Sequence, residues 1–277
     1  MNNPNGVVLY SGPSQFNGKP IIVIATGLSG NSENEKTGNM IQTYILCADI
    51  NPVSANFNFR DKAICGDCKH ASYGTCYVAL HQGPYSVFYS YLRGIYPIYN
   101  VEYSHLFQNK NIRLGSYGDP AAVPYGIWEN ILKLTNSYTG YTHAWNNKKI
   151  DERFKNIVMA SCDTVNEYKK AQKLGWRTFR IRLSKNAPIF ENEFVCPAGK
   201  ENENNHEVTC SKCLSCKGLS CNSSKSPVIV IHGTQYKINL FKKLIKQINN
   251  KKKYKVDVNA YTKAAKELRK QFTKIGG

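Results

Sequence analysis

Short apolar runs, each bounded by polar or Gly-rich segments, recur along the chain. Residues 21–26 (IIVIAT) end at Gly27 and read as a strand, and the polar GLSGNSENEKTGN that follows reads as a loop. Residues 41–50 (IQTYILCADI) predict a second strand, rich in β-formers. Pro84 opens a helical stretch, PYSVFYSYLRGI. From residue 112 the alternation becomes regular, with strands predicted at 112–116, 138–145, 157–162, 178–183 and 228–232. Helical segments lie between them. After Pro124, the apolar Ile127, Ile131 and Leu134 recur at helical spacing, and Asp163 is the predicted cap of VNEYKKAQKLG, which Gly175 closes.

Strands alternating with helices predict parallel βα units. Counted from residue 41 there are six such strands, which predicts an α/β fold: a parallel (β/α)6 array of partial-barrel type. A full barrel or a doubly wound sheet would fit the same pattern. Residues 1–40 are then an N-terminal extension with an edge strand. Residues 41–233 form a β/α metal-binding domain carrying a cysteine-rich insertion at 196–221, and residues 234–277 form a basic helical tail. Within the tail, LFKKLIKQI predicts a basic amphipathic helix and AYTKAAKELRKQFTKI a second helical stretch. Functional loops in such folds lie at the C-terminal ends of the strands.

The candidate chemistry begins with ten cysteines. In AICGDCKHASYGTCYV, the Cys65-x2-Cys68 pair puts two thiolates within reach of one metal, and Cys76 can join them. Zinc would need a fourth ligand, for which His70 or Cys47 could serve. A cubane cluster would take four ligands, or three and an external one. The second group is Cys196, then Cys210-x2-Cys213-x2-Cys216, then Cys221. The Cys-x2-Cys-x2-Cys spacing is that of a ferredoxin-type run, and Cys196, which precedes Pro197, could supply its fourth ligand. Zinc, held by any four of the five, is the alternative.

Strand ends add further candidates. Gly118, Asp119 and Pro120 read first as a turn, and Asp119 could also bind an amine or a metal. His143, His232, Ser161, Cys162 and Asp163 end other strands. A lone histidine is more often a satisfied core residue. Arg180 and Arg182 lie two apart on a strand and so point the same way, toward a carboxylate or phosphate or toward solvent.

Charge and targeting change the picture in two ways. The formal net charge of +18, with lysines dense between residues 237 and 274, suits a polyanionic partner such as nucleic acid bound through the C-terminal tail, or else a solvated basic face. No segment has the apolar run needed for a membrane span. The opening MNNPNGVVLYSGPSQ lacks the layout of a secretion signal. The expected compartment is therefore the cytoplasm, where so many cysteines argue for metal or catalysis over disulfides.

A six-unit βα array with a three-cysteine loop after its first strand resembles the radical S-adenosylmethionine superfamily. Cys76-Tyr77 resembles the aromatic residue beside the last cluster cysteine of that family, and Tyr117-Gly118-Asp119-Pro120 resembles its Gly-Gly-Glu-Pro motif. The cysteine spacing differs, x2 then x7 in place of x3 then x2, and Asp stands for Glu. The string QTYILCAD to CPA, within residues 12–233, also resembles an uncharacterised protein family of bacteriophages, which would make the compartment the host cytoplasm. The superfamily resemblance implies a 4Fe–4S cluster on Cys65, Cys68 and Cys76, with S-adenosylmethionine on its open iron and an auxiliary cluster on Cys196, Cys210, Cys213 and Cys216. It further implies cofactor contacts from Tyr77, Gly118, Asp119, Ser161, Arg180 and Arg182, catalytic roles for Asp119 and His143, and an electron donor as partner. The expected activity is reductive cleavage of S-adenosylmethionine to modify a substrate, in keeping with the charge a nucleic acid or nucleotide. The alternatives are a non-enzymatic zinc- or cluster-stabilised module that binds nucleic acid or a host protein, and a metal-dependent hydrolase using His143, Asp119 and His232.

Overall fold

The computed structural model describes residues 3–30, 34–199, 201 and 208–250. Nine strands form a single mixed sheet in the order β1-β2-β3-β4-β5-β6-β7-β9-β8. The strands are β1 (Gly6–Pro13), β2 (Pro20–Thr26), β3 (Met40–Cys47), β4 (Asn111–Tyr117), β5 (Ser137–Thr142), β6 (Met159–Cys162), β7 (Thr178–Arg182), β8 (Glu193–Val195) and β9 (Ser226–Val230). The first two pair antiparallel with each other, and β2 pairs antiparallel with β3. From β3 through β4, β5, β6, β7 and β9, every neighbouring pair is parallel and in chain order. Each of these six strands is one of those expected from the sequence.

The N-terminal extension contributes two strands where one was expected. The edge strand is β1, and β2 lies inside the sheet, which is why Ile21, Ile22, Val23, Ile24 and Ala25 are all fully buried. Those residues share one hydrophobic core with Ile45, Ile112, Trp128 and Ala160 of the parallel strands and their helices. The three-residue β8 is too short to show a period in the sequence.

The first crossover is long. It holds α1 (Pro52–Phe57), α2 (Lys62–Cys65), α3 (Lys69–Ser72) and α4 (Gly83–Leu92). Later connections carry α5 (Tyr125–Leu132), α6 (Phe154–Ile157) and α7 (Val165–Lys173). The cap of α7 is Thr164, not Asp163: Thr164 accepts from the Glu167 amide at 3.1 Å, while Glu167 reaches back to the Asp163 amide at 2.8 Å. Between β7 and β9 the chain forms β8 and the cysteine-rich segment with α8 (Cys210–Cys213) in place of a long crossover helix. After β9 comes α9 (Gln235–Asn249), which buries Phe241, Leu244 and Ile245 and exposes Lys242, Lys243 and Lys246. The second helical stretch expected in the tail falls outside the described residues. No helix among the described residues is long and apolar enough to cross a membrane.

The sheet is curved. Lys36, just before β3, lies 3.3 Å from His232, just after β9. Those strands are five places apart in the sheet, which would separate them by roughly 24 Å if it were flat. The concave side encloses a cavity.

Candidate functional site

The cavity has a volume of about 180 Å³ and is walled by side chains from β4 to β9 and from the loops beyond their ends, Arg113, Tyr141, Phe179, Ile181 and Ile229 among them. Cys65, Cys68 and Cys76 open onto it, as do Gly118, Asp119 and His143. The loop after β3 and the turn after β4 therefore do share one face.

Local structure explains how the three thiols converge. Cys65 ends α2 and Cys68 precedes α3, with the Cys68 amide donating to the Cys65 carbonyl at 3.1 Å. The His70 carbonyl accepts from the Cys76 amide at 3.2 Å, which folds the seven-residue gap back toward the pair. The N-terminal extension supports this loop, since Ser14 donates to the Ala63 carbonyl at 2.5 Å. Burial pushes the Cys76 thiol up to about 11, and burial followed by the proximity of Cys68 raises Cys65. Metal binding at this site must therefore displace protons.

Neither candidate for the fourth corner is free. His70 has Thr75 Oγ1 at 2.8 Å from Nδ1 and Asp163 Oδ1 at 3.0 Å from Nε2, with Phe241 stacked at 5.2 Å between ring centroids. Cys47 sits behind the sheet end, where it donates to the Arg60 carbonyl and burial pushes its thiol up to about 12.

The turn after β4 is rigid for steric reasons. Gly118 has φ +81°, and a Cβ there would meet Ile45 Cβ at 2.7 Å. Asp119 is buried and bound on both oxygens. Oδ1 accepts from the Ala121 amide at 3.0 Å, and Oδ2 from Thr142 Oγ1 at 3.0 Å and the His143 amide at 2.8 Å. Burial raises its pKa against the pull of these bonds. Asp119 thus ties the end of β4 to the end of β5 while facing the cavity.

His70, His143 and Asp163 form a set that sequence reading did not assemble. Their donor atoms all lie within 4.8 Å of one another, and among the described residues no other three His, Cys, Asp or Glu side chains do so. Asp163 also pairs with Lys69 at 3.0 Å. Burial alone would raise Asp163, yet the charges of His70, His143 and Lys69 with the His70 hydrogen bond hold it far below the ordinary carboxylate range. The buried Nε2 of His143 has no hydrogen-bond partner among the described residues. The residues of the hydrolase alternative, His143, Asp119 and His232, all line this cavity; His143 meets His70 and Asp163, while His232 faces Lys36 and Tyr77.

The second cysteine group gathers at the other end of the same concave side. Cys196, Cys210, Cys213 and Cys216 surround a small void that shares Lys36, Tyr141 and Phe179 with the main cavity. The segment is pinned to the strands: Cys210 donates to the Lys36 carbonyl at 2.8 Å, Gly140 to the Cys216 carbonyl at 2.9 Å, and Arg177 to the carbonyls of Ser215, Gly218 and Lys225. Burial pushes Cys196 up to about 11, and it raises Cys216 as well, against a hydrogen bond from the Tyr141 hydroxyl. Cys221 lies outside this void. All ten cysteines are free thiols.

Arg180 and Arg182 are not brought to the cavity. On β7 the cavity face carries Phe179 and Ile181, and the arginines point to the other side. There Arg180 binds Glu193 through two hydrogen bonds of 2.7 and 2.6 Å, and Arg182 pairs with Glu201. Their carboxylates come from the chain itself. Ser161 lines the cavity, and so does Tyr77, whose hydroxyl accepts from Arg113 at 3.2 Å. Arg113, Lys36 and Tyr141 are among the cavity residues that sequence reading missed. A lone charge inside an apolar strand, the I-R-L of β4, is the signal that could have exposed Arg113. No family model, no curated protein and no solved structure matches the chain.

Proposed function

We propose that the chain is an iron–sulfur enzyme of the radical S-adenosylmethionine type, acting on a nucleotide or nucleic-acid substrate. The observation that carries this reading is the open fourth corner. Three thiols from one loop face a cavity, and neither fourth ligand suggested by the sequence is free for them: His70 is held at both nitrogens and the Cys47 thiol donates to the Arg60 carbonyl. In this reading the curved run of six parallel strands is a (β/α)6 partial barrel, as its strand order and the Lys36–His232 contact across it support.

The donor chemistry was tested against zinc. Tetrahedral zinc with Zn–S bonds of about 2.3 Å would hold its thiolates about 3.8 Å apart. Among the described residues no three cysteine sulfurs lie within 4.8 Å of one another. A cubane, in which each thiolate binds a different iron, does not require its thiolates that close. Cys65, Cys68 and Cys76 would hold one cluster, and Cys196, Cys210, Cys213 and Cys216 a second. A cluster with an open iron supplies one electron to cleave bound S-adenosylmethionine. The remaining roles fall to the protein: Asp119 fixes the wall beside the first site, Tyr77 and Ser161 line it, and the apolar Phe179, Ile181 and Ile229 exclude water from the far side. The electron would come from a donor protein in the cytoplasm, where thiols stay reduced. The basic outer face of α9, beside the cavity through Lys237 and Phe241, would attract the anionic substrate.

The test is anaerobic purification followed by iron, sulfide and zinc analysis, then reaction with dithionite and S-adenosylmethionine. Two clusters would give about seven or eight irons per chain, and 5′-deoxyadenosine should appear. A colourless zinc protein without sulfide, or intact clusters that release no 5′-deoxyadenosine, would sink the reading.

A further inference from the structure

Four arginines are buried among the described residues: Arg113, Arg177, Arg180 and Arg182. Three are each held by three hydrogen bonds to acceptors of the chain. Arg177 donates to three backbone carbonyls, Arg180 to Glu193 twice and to the Pro188 carbonyl, and Arg182 to two carbonyls and Glu201. Arg113 is the exception. It is 8% exposed, faces the cavity, and its guanidinium makes one hydrogen bond among the described residues, to the Tyr77 hydroxyl, with the Tyr141 ring at 5.2 Å. No carboxylate pairs with it among the described residues. A guanidinium keeps its charge when buried and carries five N–H donors, so most of its binding capacity points at the space in front of it.

Lys36 borders the same space. Its Nζ lies 3.3 Å from His232 Nε2. Lys36 and Arg113 line one cavity. Two cations on one cavity wall, neither paired with a carboxylate among the described residues and one of them buried and fork-shaped, suit an oxyanion.

We infer that the cavity takes a small organic substrate bearing a phosphate or carboxylate group, gripped by the Arg113 guanidinium with help from Lys36. The inference deepens the reading above and rests on it only in taking the cavity as the place of chemistry. A small molecule is favoured over a polymer because a cavity of about 180 Å³, bordered by Lys237 and Phe241 of α9, encloses its ligand. A competing role for the two cations is to offset the thiolates of the second cysteine site, and the test separates the two.

The test is calorimetric titration of the anaerobically purified, full-length, metal-loaded protein with inorganic phosphate at constant ionic strength, in the presence of saturating S-adenosylmethionine. Phosphate should bind. Arg113→Gln should weaken it at least tenfold, Arg113→Lys less because charge survives while the fork is lost, and Lys36→Gln by severalfold. Iron and sulfide content should stay at the wild-type level in all three variants. The inference is overturned by any of four results: wild-type protein binds no phosphate; the variants bind as wild type does; they lose iron and sulfide while still binding phosphate; or a single-stranded oligonucleotide binds through Arg113 where free phosphate does not. If S-adenosylmethionine abolishes phosphate binding, Arg113 belongs to the cofactor and the inference also falls. If phosphate binds through Arg113 yet no 5′-deoxyadenosine forms, the radical reading fails and the anion site stands.

Discussion

The buried pair between Arg180 and Glu193 gives a prediction whose size can be worked from the structure. The two side chains are 3% and 0% exposed. Glu193 accepts from Arg180 Nε at 2.7 Å and Nη2 at 2.6 Å, and from the Phe190 amide at 2.9 Å. Glu193→Ala removes all three partners and leaves a buried guanidinium with the Pro188 carbonyl and the rings of Phe190 and Tyr168. Stranding such a charge costs about 3–5 kcal/mol, whereas replacing both members by apolar residues of similar volume is often neutral or stabilising. Urea unfolding of the reduced protein should therefore show Glu193→Ala losing about 3–5 kcal/mol at unchanged m-value, and Arg180→Met/Glu193→Leu losing far less than the sum of its single changes. Because Arg180 lies on the face away from the cavity, the double variant should bind phosphate as wild type does. A loss below about 1 kcal/mol for Glu193→Ala, additive single effects, or a tenfold loss of phosphate binding in the double variant would each refute the reasoning.

Gly118→Ala combines a left-handed backbone with a Cβ at 2.7 Å from Ile45 Cβ, so it should cost roughly 2–4 kcal/mol in the same assay, while Gly126→Ala, in a helix with open space around it, should be neutral or gain up to about 1 kcal/mol. The Cys196 thiol, pushed up to about 11 from 9.0 by burial, binds its proton more tightly when folded. Its contribution in the metal-free protein is therefore complete below pH 9 and is lost as pH rises to about 11, a change of about 2–3 kcal/mol that denaturation at both pH values should show and Cys196→Ala should remove. Tyr141→Phe deletes the hydroxyl that hydrogen-bonds the Cys216 sulfur, so voltammetry of the loaded protein should find a more negative potential at the second cluster and an unchanged one at the first.

The alternation of apolar runs with helical stretches determined the strands of the parallel array, because strands buried on both faces read as continuous apolar segments whatever surrounds them. Cysteine spacing alone identified both thiol groups, since CxxC puts two sulfurs on one side of a turn. It even paired Cys196 with the later run across the intervening loop. Beyond this the local pattern is silent. That β2 lies inside the sheet and β1 at its edge depends on hairpin pairing, which residues 1–40 do not encode as a period. That Arg180 and Arg182 face Glu193 and Glu201, while Phe179 and Ile181 face the cavity, depends on which side of β7 becomes concave, and alternation is blind to that choice. The surroundings of His70 and Cys47 depend on partners outside the local motif: Asp163 takes one nitrogen of His70, and the Arg60 carbonyl accepts from Cys47. Lys36 and His232 meet, and share a cavity with Arg113, because the sheet curves and brings the segments beside its third strand and its last long one together.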